Sequence, residues 1–262
     1  MKKLFLLYLT LIYCAALNAL ELNLPVSAVQ NAVSGLNLIY PTPASASTNP
    51  AICLSGFESS GTCFYSLTDL PFYNLHLAYK SANWGFHLGD AYLDHEFYRE
   101  NHFSLSGCCS WQNITLGISL RHLHNAVEGY QSGSATLFDA GMTWQNGEFS
   151  TALAVHNLTQ NSFLESELPI LFLWESCWRL SATSLISIGW EKESNFDFSF
   201  KFAGRHDLFD LFSIICSYQL EPDRIGAGAV FRLRGINVSY SVRTHQYLDL
   251  THYVSIGYEL GK

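Results

Sequence analysis

Two histidines and an asparagine form the group of residues that most resembles part of a catalytic site. His122, His124 and Asn125 lie within a few positions of one another. A hydrolase would combine a histidine base and an orienting Asn or Asp with a serine nucleophile. The chain contains no G-x-S-x-G nucleophile elbow, and both histidines occur where a strand pattern runs into a long polar segment. We therefore interpret them as solvated rim residues and predict that the protein is not an enzyme.

Acidic residues cluster at another strand end, where a metal ion could bind. Asp90, Asp94 and Glu96 supply carboxylates beside His95, and carboxylate oxygens are ligands that Ca²⁺ prefers. The same composition is typical of a solvated loop, which we favour. The cysteines offer no metal site either, because none forms a C-x-x-C pair or lies beside a histidine at zinc spacing. The sequence thus predicts neither a metal ion nor a cofactor.

Charged residues also alternate with apolar residues inside strand-like segments. In the stretch N-F-D-F-S-F-K-F-A at residues 195–203, the phenylalanines share one face while Asp197 and Lys201 share the other. This follows because successive strand side chains point to opposite faces. Arg121 and Arg243 occupy equivalent polar faces elsewhere. These four residues predict either a charged constriction in a lumen or a set of lumen ion pairs, and we favour the ion pairs.

The alternation recurs along most of the chain. From Phe72 onward it appears in segments of about nine to eleven residues, which is the length and pattern of strands that cross a membrane as a β-barrel. Few charged residues (14%) and many aromatic residues (15%) suit a barrel wall with aromatic girdles. After residue 19, no apolar run reaches the roughly eighteen residues that a membrane helix needs. The predicted fold class is an all-β, transmembrane, antiparallel up-and-down barrel.

The N-terminus has the features of a signal peptide. It has a basic start, an apolar run at residues 4–17 and a predicted cleavage site after Ala19. Cleavage would remove Lys2 and Lys3 and lower the formal net charge of −8 by a further two units. A chain this acidic is not expected to bind nucleic acid. We therefore predict a signal peptide at residues 1–19 and export from the cytoplasm.

Loop lengths indicate the number of strands. About thirteen alternating segments follow residue 72, and tight connections, such as residues 81–83 and 204–207, fall at every second junction. Outer-membrane barrels have short periplasmic turns and an even number of strands. One more strand is therefore needed, and residues 62–67 are the candidate. We predict about fourteen strands, with the N- and C-termini of the mature chain in the periplasm.

Residues 20–60 differ from the rest of the chain, since they are rich in Ala, Ser, Asn and Pro and show little periodicity. Pro50 has no backbone donor and suits no central strand. We predict that this segment is a plug or periplasmic segment and that the barrel occupies residues 61–262. Cys53 and Cys63 flank a Gly/Ser-rich loop, and they are candidates for a disulfide in an oxidising compartment.

The segment around Asn49, Pro50 and Ala51 carries a family resemblance. Residues 45–54, S-A-S-T-N-P-A-I-C-L, resemble the plug motif of FadL-like outer-membrane proteins, in which N-P-A precedes an apolar residue. More narrowly, the chain is similar to the PorV/PorQ family in the order of its later motifs. These motifs are L-H-L-A-Y at 75–79, Y-R-E-N-H-F-S-L-S at 98–106 and A-V-H-N-L at 154–158.

The resemblance implies a plugged barrel surrounded by lipid in the bacterial outer membrane. FadL-like barrels carry hydrophobic compounds, and PorV accepts cargo in type IX secretion, so a hydrophobic ligand or secretion-machinery proteins are the implied partners. The polar residues on the predicted inward faces favour a plugged, polar interior. Two alternatives stay open: a soluble secreted all-β carbohydrate-binding protein, with the aromatic faces in its core, and an outer-membrane lipid hydrolase.

Overall fold

The structure is a computed structural model that describes residues 27–67, 69–130, 132–163, 166–194 and 196–260. The predicted signal peptide, residues 1–19, lies outside these ranges. Within them, fourteen antiparallel strands form one closed barrel, in which each strand pairs with its neighbours along the chain. The first and last strands close it, with partners running from Gly56 opposite Glu259 to Cys63 opposite His252. The prediction of an all-β, antiparallel up-and-down barrel of about fourteen strands is confirmed.

The wall strands are β1 Gly56–Cys63, β2 Pro71–Lys80, β3 Trp84–His95, β4 Tyr98–Trp111, β5 Ile114–Val127, β6 Gly133–Asn146, β7 Phe149–His156, β10 Leu171–Arg179, β11 Ser184–Glu193, β12 Ser199–Phe209, β13 Phe212–Leu220, β14 Arg224–Leu233, β15 Ile236–Arg243 and β16 Thr251–Glu259. The short strands β8 Ser162–Phe163 and β9 Ser166–Glu167 pair only with each other, between β7 and β10. We call the end with the tight connections at residues 81–83, 112–113 and 210–211 the turn end, and the opposite end the loop end.

Two predicted boundaries are wrong. The first wall strand is β1 Gly56–Cys63, whereas most of residues 62–67 belongs to a short 3-10 turn in which Tyr65 has a φ of 52°. The outward face of β1 carries one large apolar residue, Phe57, so its alternation is weak in the sequence. Residues 204–207 are not a turn but part of β12. The charged residues in this stretch resemble a turn in the sequence. In the structure, Arg205 and Asp207 lie within the strand and form an ion pair with each other.

Alternation sorts the side chains of each strand between outside and inside. In β12, Phe200 and Phe202 are 46% and 47% exposed on the outer surface, whereas Ser199 and Lys201 are buried. Aromatic rings also border the turn end, where Tyr79 and Trp84 flank one tight turn with ring centroids 5.6 Å apart. Aromatic residues at this position suit a membrane–water interface. The outer surface is thus an apolar belt edged by aromatic rings.

The interior of the barrel contains the segment that precedes β1. This inner segment, residues 27–55, includes helix α1 Ala28–Ala32 and a 3-10 helix, Pro43–Ser47. The side chain of Ser27 caps α1 by accepting a hydrogen bond from the Gln30 amide, as expected of an N-cap serine. Among the described residues, no helix is long and apolar enough to cross a membrane.

The main apolar core lies between the inner segment and the barrel wall. Side chains of the inner segment pack against buried wall residues contributed by β10 to β14. The inner members are Val29, Ala32, Val33, Leu36, Ile39 and Tyr40, and the wall members are Cys177, Leu185, Ala203, Ile215 and Val230. Burial of this apolar surface is the main force expected to hold the segment inside.

The outward face of β5 provides a test of membrane contact at two depths. Ile118 is 71% exposed and lies four residues from Ile114, which starts the strand beside a tight turn. We expect Ile118→Arg to lower the free energy of unfolding from lipid vesicles by about 2–4 kcal/mol, and Ile114→Arg by about 0–1 kcal/mol, because the cost of a charge falls toward the interface. Equal losses in urea titrations of the two variants would contradict membrane contact by this face.

Candidate functional site

The N-P-A motif lies inside the barrel against β5, β6 and β7. The Asn49 side-chain amide donates to the carbonyl oxygen of Leu153 at 3.1 Å, and its oxygen accepts from the Ala51 amide at 3.0 Å. A Cβ added at Gly117 would lie 2.3 Å from the Pro50 carbonyl, and one added at Gly141 would lie 2.1 Å from the Asn49 side-chain oxygen. Glycine is therefore needed at both wall positions for the motif to fit.

Glycines also make room for α1 and the turn that follows it. A Cβ at Gly226 would lie 2.7 Å from the Asn31 carbonyl oxygen, and one at Gly189 would lie 2.6 Å from a methyl carbon of Leu36. Contacts this short do not occur between carbon and these atoms in real proteins. The wall is therefore shaped to the inner segment at separate places around the barrel.

Two buried wall glutamates bind the backbone of the inner segment. Glu175 on β10 accepts a hydrogen bond from the Leu38 amide at 3.1 Å, and Glu58 on β1 accepts one from the Ala44 amide at 3.3 Å. Both side chains are buried. Buried backbone amides need such partners. The sequence analysis identified neither residue. For Glu175 the available signal was a carboxylate inside an otherwise apolar strand, L-F-L-W-E at residues 171–175.

Three of the four charged residues predicted to face inward do so. Arg121, Lys201 and Arg243 are buried on the inner face of the wall. Asp197 is not: it is exposed in the connection before β12, and alternation does not apply there because the strand begins only at Ser199.

Two of the three inward-facing cations pair with carboxylates, and the third, Arg243, donates to the side-chain oxygen of Gln219. Arg121 donates to Asp139 at 2.5 and 3.0 Å, and His156 lies 3.3 Å from the same carboxylate. Lys201 donates to Glu191 at 2.5 Å. Opposite charges at such distances compensate one another when they leave bulk water. The arrangement agrees with the favoured interpretation, lumen ion pairs.

A second charged cluster, near the turn end, holds the aromatic ring of Tyr40. The guanidinium of Arg205 lies 4.4 Å from the ring centroid, and that of Arg232 lies 5.8 Å away. Both arginines bind Asp207, at 2.8 and 3.3 Å. Burial raises the pKa of Tyr40, against the opposing effect of the two guanidinium groups, so the phenol stays protonated at neutral pH. Cation–π contacts therefore help to fix the inner segment here.

A cavity of about 130 Å³ lies above the inner segment at the loop end. Its floor comes from the inner segment, its sides from β11 to β16 and its rim from the loops. The floor includes Gln30, Ser34 and Thr48; the sides include Glu191, Lys201, Gln219, Arg243 and Tyr253; the rim includes Phe64, Tyr65 and His245. Burial and the nearby Arg224 lower the pKa of His245, so this rim residue is neutral at pH 7.

The histidines considered for catalysis lie on the outside of the barrel. His122 and His124 are exposed on the outward face of β5, and the nearest polar partner of His122 is the Thr136 hydroxyl at 3.1 Å. Asp90 and Asp94 are also outward-facing, bonded to Asn101 and Arg99. Among the described residues, no group of three or more potential metal ligands occurs.

The disulfide considered between Cys53 and Cys63 is wrong. The structure places the two residues at opposite ends of the barrel, Cys53 beside Gly85 and Cys63 opposite Pro71 and His252. Cys53 lies at the turn end and Cys63 is the last residue of β1, so the extended strand Gly56–Cys63 separates them along the height of the barrel. A strand of this length keeps its ends far beyond the roughly 7 Å Cα separation that a disulfide tolerates.

A solved structure shares the barrel architecture. The chain is similar to the CymD monoaromatic hydrocarbon channel, with a TM-score of 0.69 and 8% sequence identity over 93% of this chain and 100% of that chain. Variants of the Rh. blastica porin align over 79% of this chain and 99% of theirs, with a TM-score of 0.48 and 9–10% identity. No protein-family model and no curated protein sequence matches the chain. At these identities, the likeness to CymD shows the fold alone.

The glutamate contacts can be tested through hydrogen exchange of the inner segment. Glu175→Ala would leave the Leu38 amide buried without its acceptor, at a cost of about 1–3 kcal/mol. We expect amide exchange in residues 36–40 to accelerate by about ten-fold or more, while strand amides on the far side of the barrel stay protected. Glu148→Ala is the control, since that carboxylate is exposed and pairs with Arg179 at the surface. Unchanged exchange in Glu175→Ala would contradict this role.

Proposed function

We propose that the protein is an outer-membrane channel for small, largely hydrophobic molecules, and that its inner segment closes the lumen in the resting state. The observation that carries this proposal is a closed barrel with an apolar outer belt, filled by a segment that the wall holds through contacts rather than through strand pairing. The wall strands close the barrel without any strand from the inner segment. The segment could therefore move while the wall stays closed, as a channel requires. The similarity to a monoaromatic hydrocarbon channel supports the same class of function.

Location in the bacterial outer membrane is part of the proposal. Most of the large apolar side chains of the strands point outward and are exposed, while most of the inward-facing side chains are polar. A soluble secreted carbohydrate-binding protein would need to bury these aromatic faces, so that alternative is not favoured. The predicted signal peptide agrees with export. Strands closed into a barrel are the β-structures that satisfy every backbone group within lipid.

The cavity at the loop end suggests the ligand class. Its volume, about 130 Å³, is comparable to the roughly 150 Å³ cavity that holds a benzene molecule in an engineered protein. The rings of Phe64, Tyr65 and Tyr253 line it together with charged and amide groups. Such a lining suits a compound with one aromatic ring and a polar substituent.

Passage beyond the cavity requires the inner segment to move. The second cavity, between residues 35–49 and β7, β10 and β11, has a volume of about 20 Å³, which is close to that of one water molecule. A space of this volume is too small to hold an aromatic ring. We therefore propose that displacement of the inner segment opens the path.

A role in type IX secretion, which the PorV/PorQ resemblance implies, stays a prediction. Among the described residues, no contact favours it over the passage of small molecules. An outer-membrane lipid hydrolase is not favoured either, because His122 and His124 face outward.

Filling the cavity tests the proposed route. Thr251 faces the cavity at the start of β16, whereas Val254 on the same strand is 53% exposed on the outer surface. In cells that display the protein in the outer membrane, we expect Thr251→Trp to reduce uptake of radiolabelled phenol or benzoate several-fold, because the indole occupies the space that the ring would use. Val254→Trp is the matched control and should leave uptake unchanged. Equal uptake by both variants, with heat-modifiable mobility intact, would contradict a route through this cavity.

A further inference from the structure

Two cysteines meet where the inner segment touches the wall at the turn end. Cys53 belongs to the inner segment and is 5% exposed, and Cys108 on β4 is 8% exposed. The two pack in one cluster with Ala78 of β2. Neither residue has a part in the proposed transport route.

The two sulfur atoms lie over Gly85, which has no side chain to separate them. Gly85 on β3 pairs directly with Cys108 on β4. A Cβ at Gly85 would lie 2.6 Å from the sulfur of Cys53 and 3.1 Å from that of Cys108, so both sulfurs border the same small volume. The missing side chain at position 85 is thus what allows the two sulfurs to approach.

The other described cysteines are placed away from this pair. Cys109 follows Cys108 but points to the outer surface, because neighbouring strand residues face opposite sides. Cys63 lies at the loop end, and Cys216 is exposed on the outer surface of β13. Cys177 packs in the separate core around Leu36 and Ile39. Position alone therefore selects Cys108 as the partner of Cys53.

We propose that Cys53 and Cys108 form a disulfide that fastens the inner segment to the wall once the chain has been exported. The site lies beside the tight turn at residues 81–83. The loop lengths in the sequence predict that this end of the barrel faces the periplasm, which is oxidising. The oxidant is a disulfide, either of a periplasmic thiol oxidase or of oxidised glutathione. One thiolate attacks it to give a mixed disulfide, which the second thiolate resolves. The two cysteines together lose two protons and two electrons, and the oxidant is reduced to two thiols.

The bond would divide the inner segment into a fixed part and a movable part. Residues 49–55 would stay against β3 to β7, next to the glycines that receive the N-P-A motif. Helix α1 and the residues up to about Thr48 would still be held only by hydrogen bonds, ion contacts and apolar packing. Displacement of the inner segment would then be a swing about a covalent anchor, and the segment could not leave the barrel.

Peptide mapping of the full chain, purified from outer membranes with free thiols blocked at lysis, tests the bond. In a non-reducing tryptic digest we expect the peptide that ends at Lys80 to be joined to the peptide of residues 100–121. The link should persist in Cys63→Ser and Cys109→Ser, which remove the neighbouring cysteines of the same two peptides. It should vanish in Cys108→Ser, and reduction should release both peptides from the wild-type protein.

Two results would overturn the proposal. One is a wild-type protein in which Cys53 and Cys108 both carry the blocking reagent, even after incubation of the purified barrel with oxidised glutathione. The other is a link that survives Cys108→Ser and is lost in Cys63→Ser or Cys109→Ser. Heat-modifiable mobility of each variant establishes that the barrel being mapped is folded. Neither result depends on whether the protein transports small molecules, so this test and the uptake test can fail independently.

Discussion

In the membrane location proposed above, no water is available to an unpaired backbone group, and closure of the sheet is the constraint on which the rest of the structure depends. Strands can cross the apolar slab only if every edge is paired, and here β16 meets β1 to close the sheet. Closure then divides the side chains by their alternation: the outward set is mostly apolar, and the inward set is mostly polar except where it packs against the inner segment. The lumen so created is the space that the inner segment fills.

The fit between wall and inner segment rests on two kinds of complementarity. Glycines such as Gly117 and Gly141 leave space where the N-P-A backbone approaches the strands. Glu58 and Glu175 supply acceptors where amides of the inner segment would otherwise be buried without a partner. Space and hydrogen bonding thus specify one position of the segment. Because no strand pairing is involved, the same contacts can be given up without opening the wall, which is what the proposed channel function requires.

The sequence shows which face of each strand points outward, but it shows little about which residues of the wall and the inner segment contact each other. Alternation correctly places Phe200 outside and Lys201 inside, and loop spacing with the even-number rule predicts the strand count. Alternation does not reveal β1, because the outward face of that strand has a single large apolar side chain. Alternation also misplaces Asp197, because this residue precedes β12. The partner of Glu175 is Leu38, 137 positions earlier, and no local pattern in the sequence could reveal that contact.

The central claim is that the inner segment closes the lumen. The ion conductance of a barrel that lacks most of this segment tests the claim most directly. A chain lacking residues 27–48 keeps all fourteen wall strands. We predict that it folds with heat-modifiable mobility and conducts in planar bilayers well above the full-length protein. Loss of the folded barrel would show that the segment belongs to the wall architecture. A folded barrel with unchanged, low conductance would show that the paired charges of the lumen, and not the inner segment, close the channel.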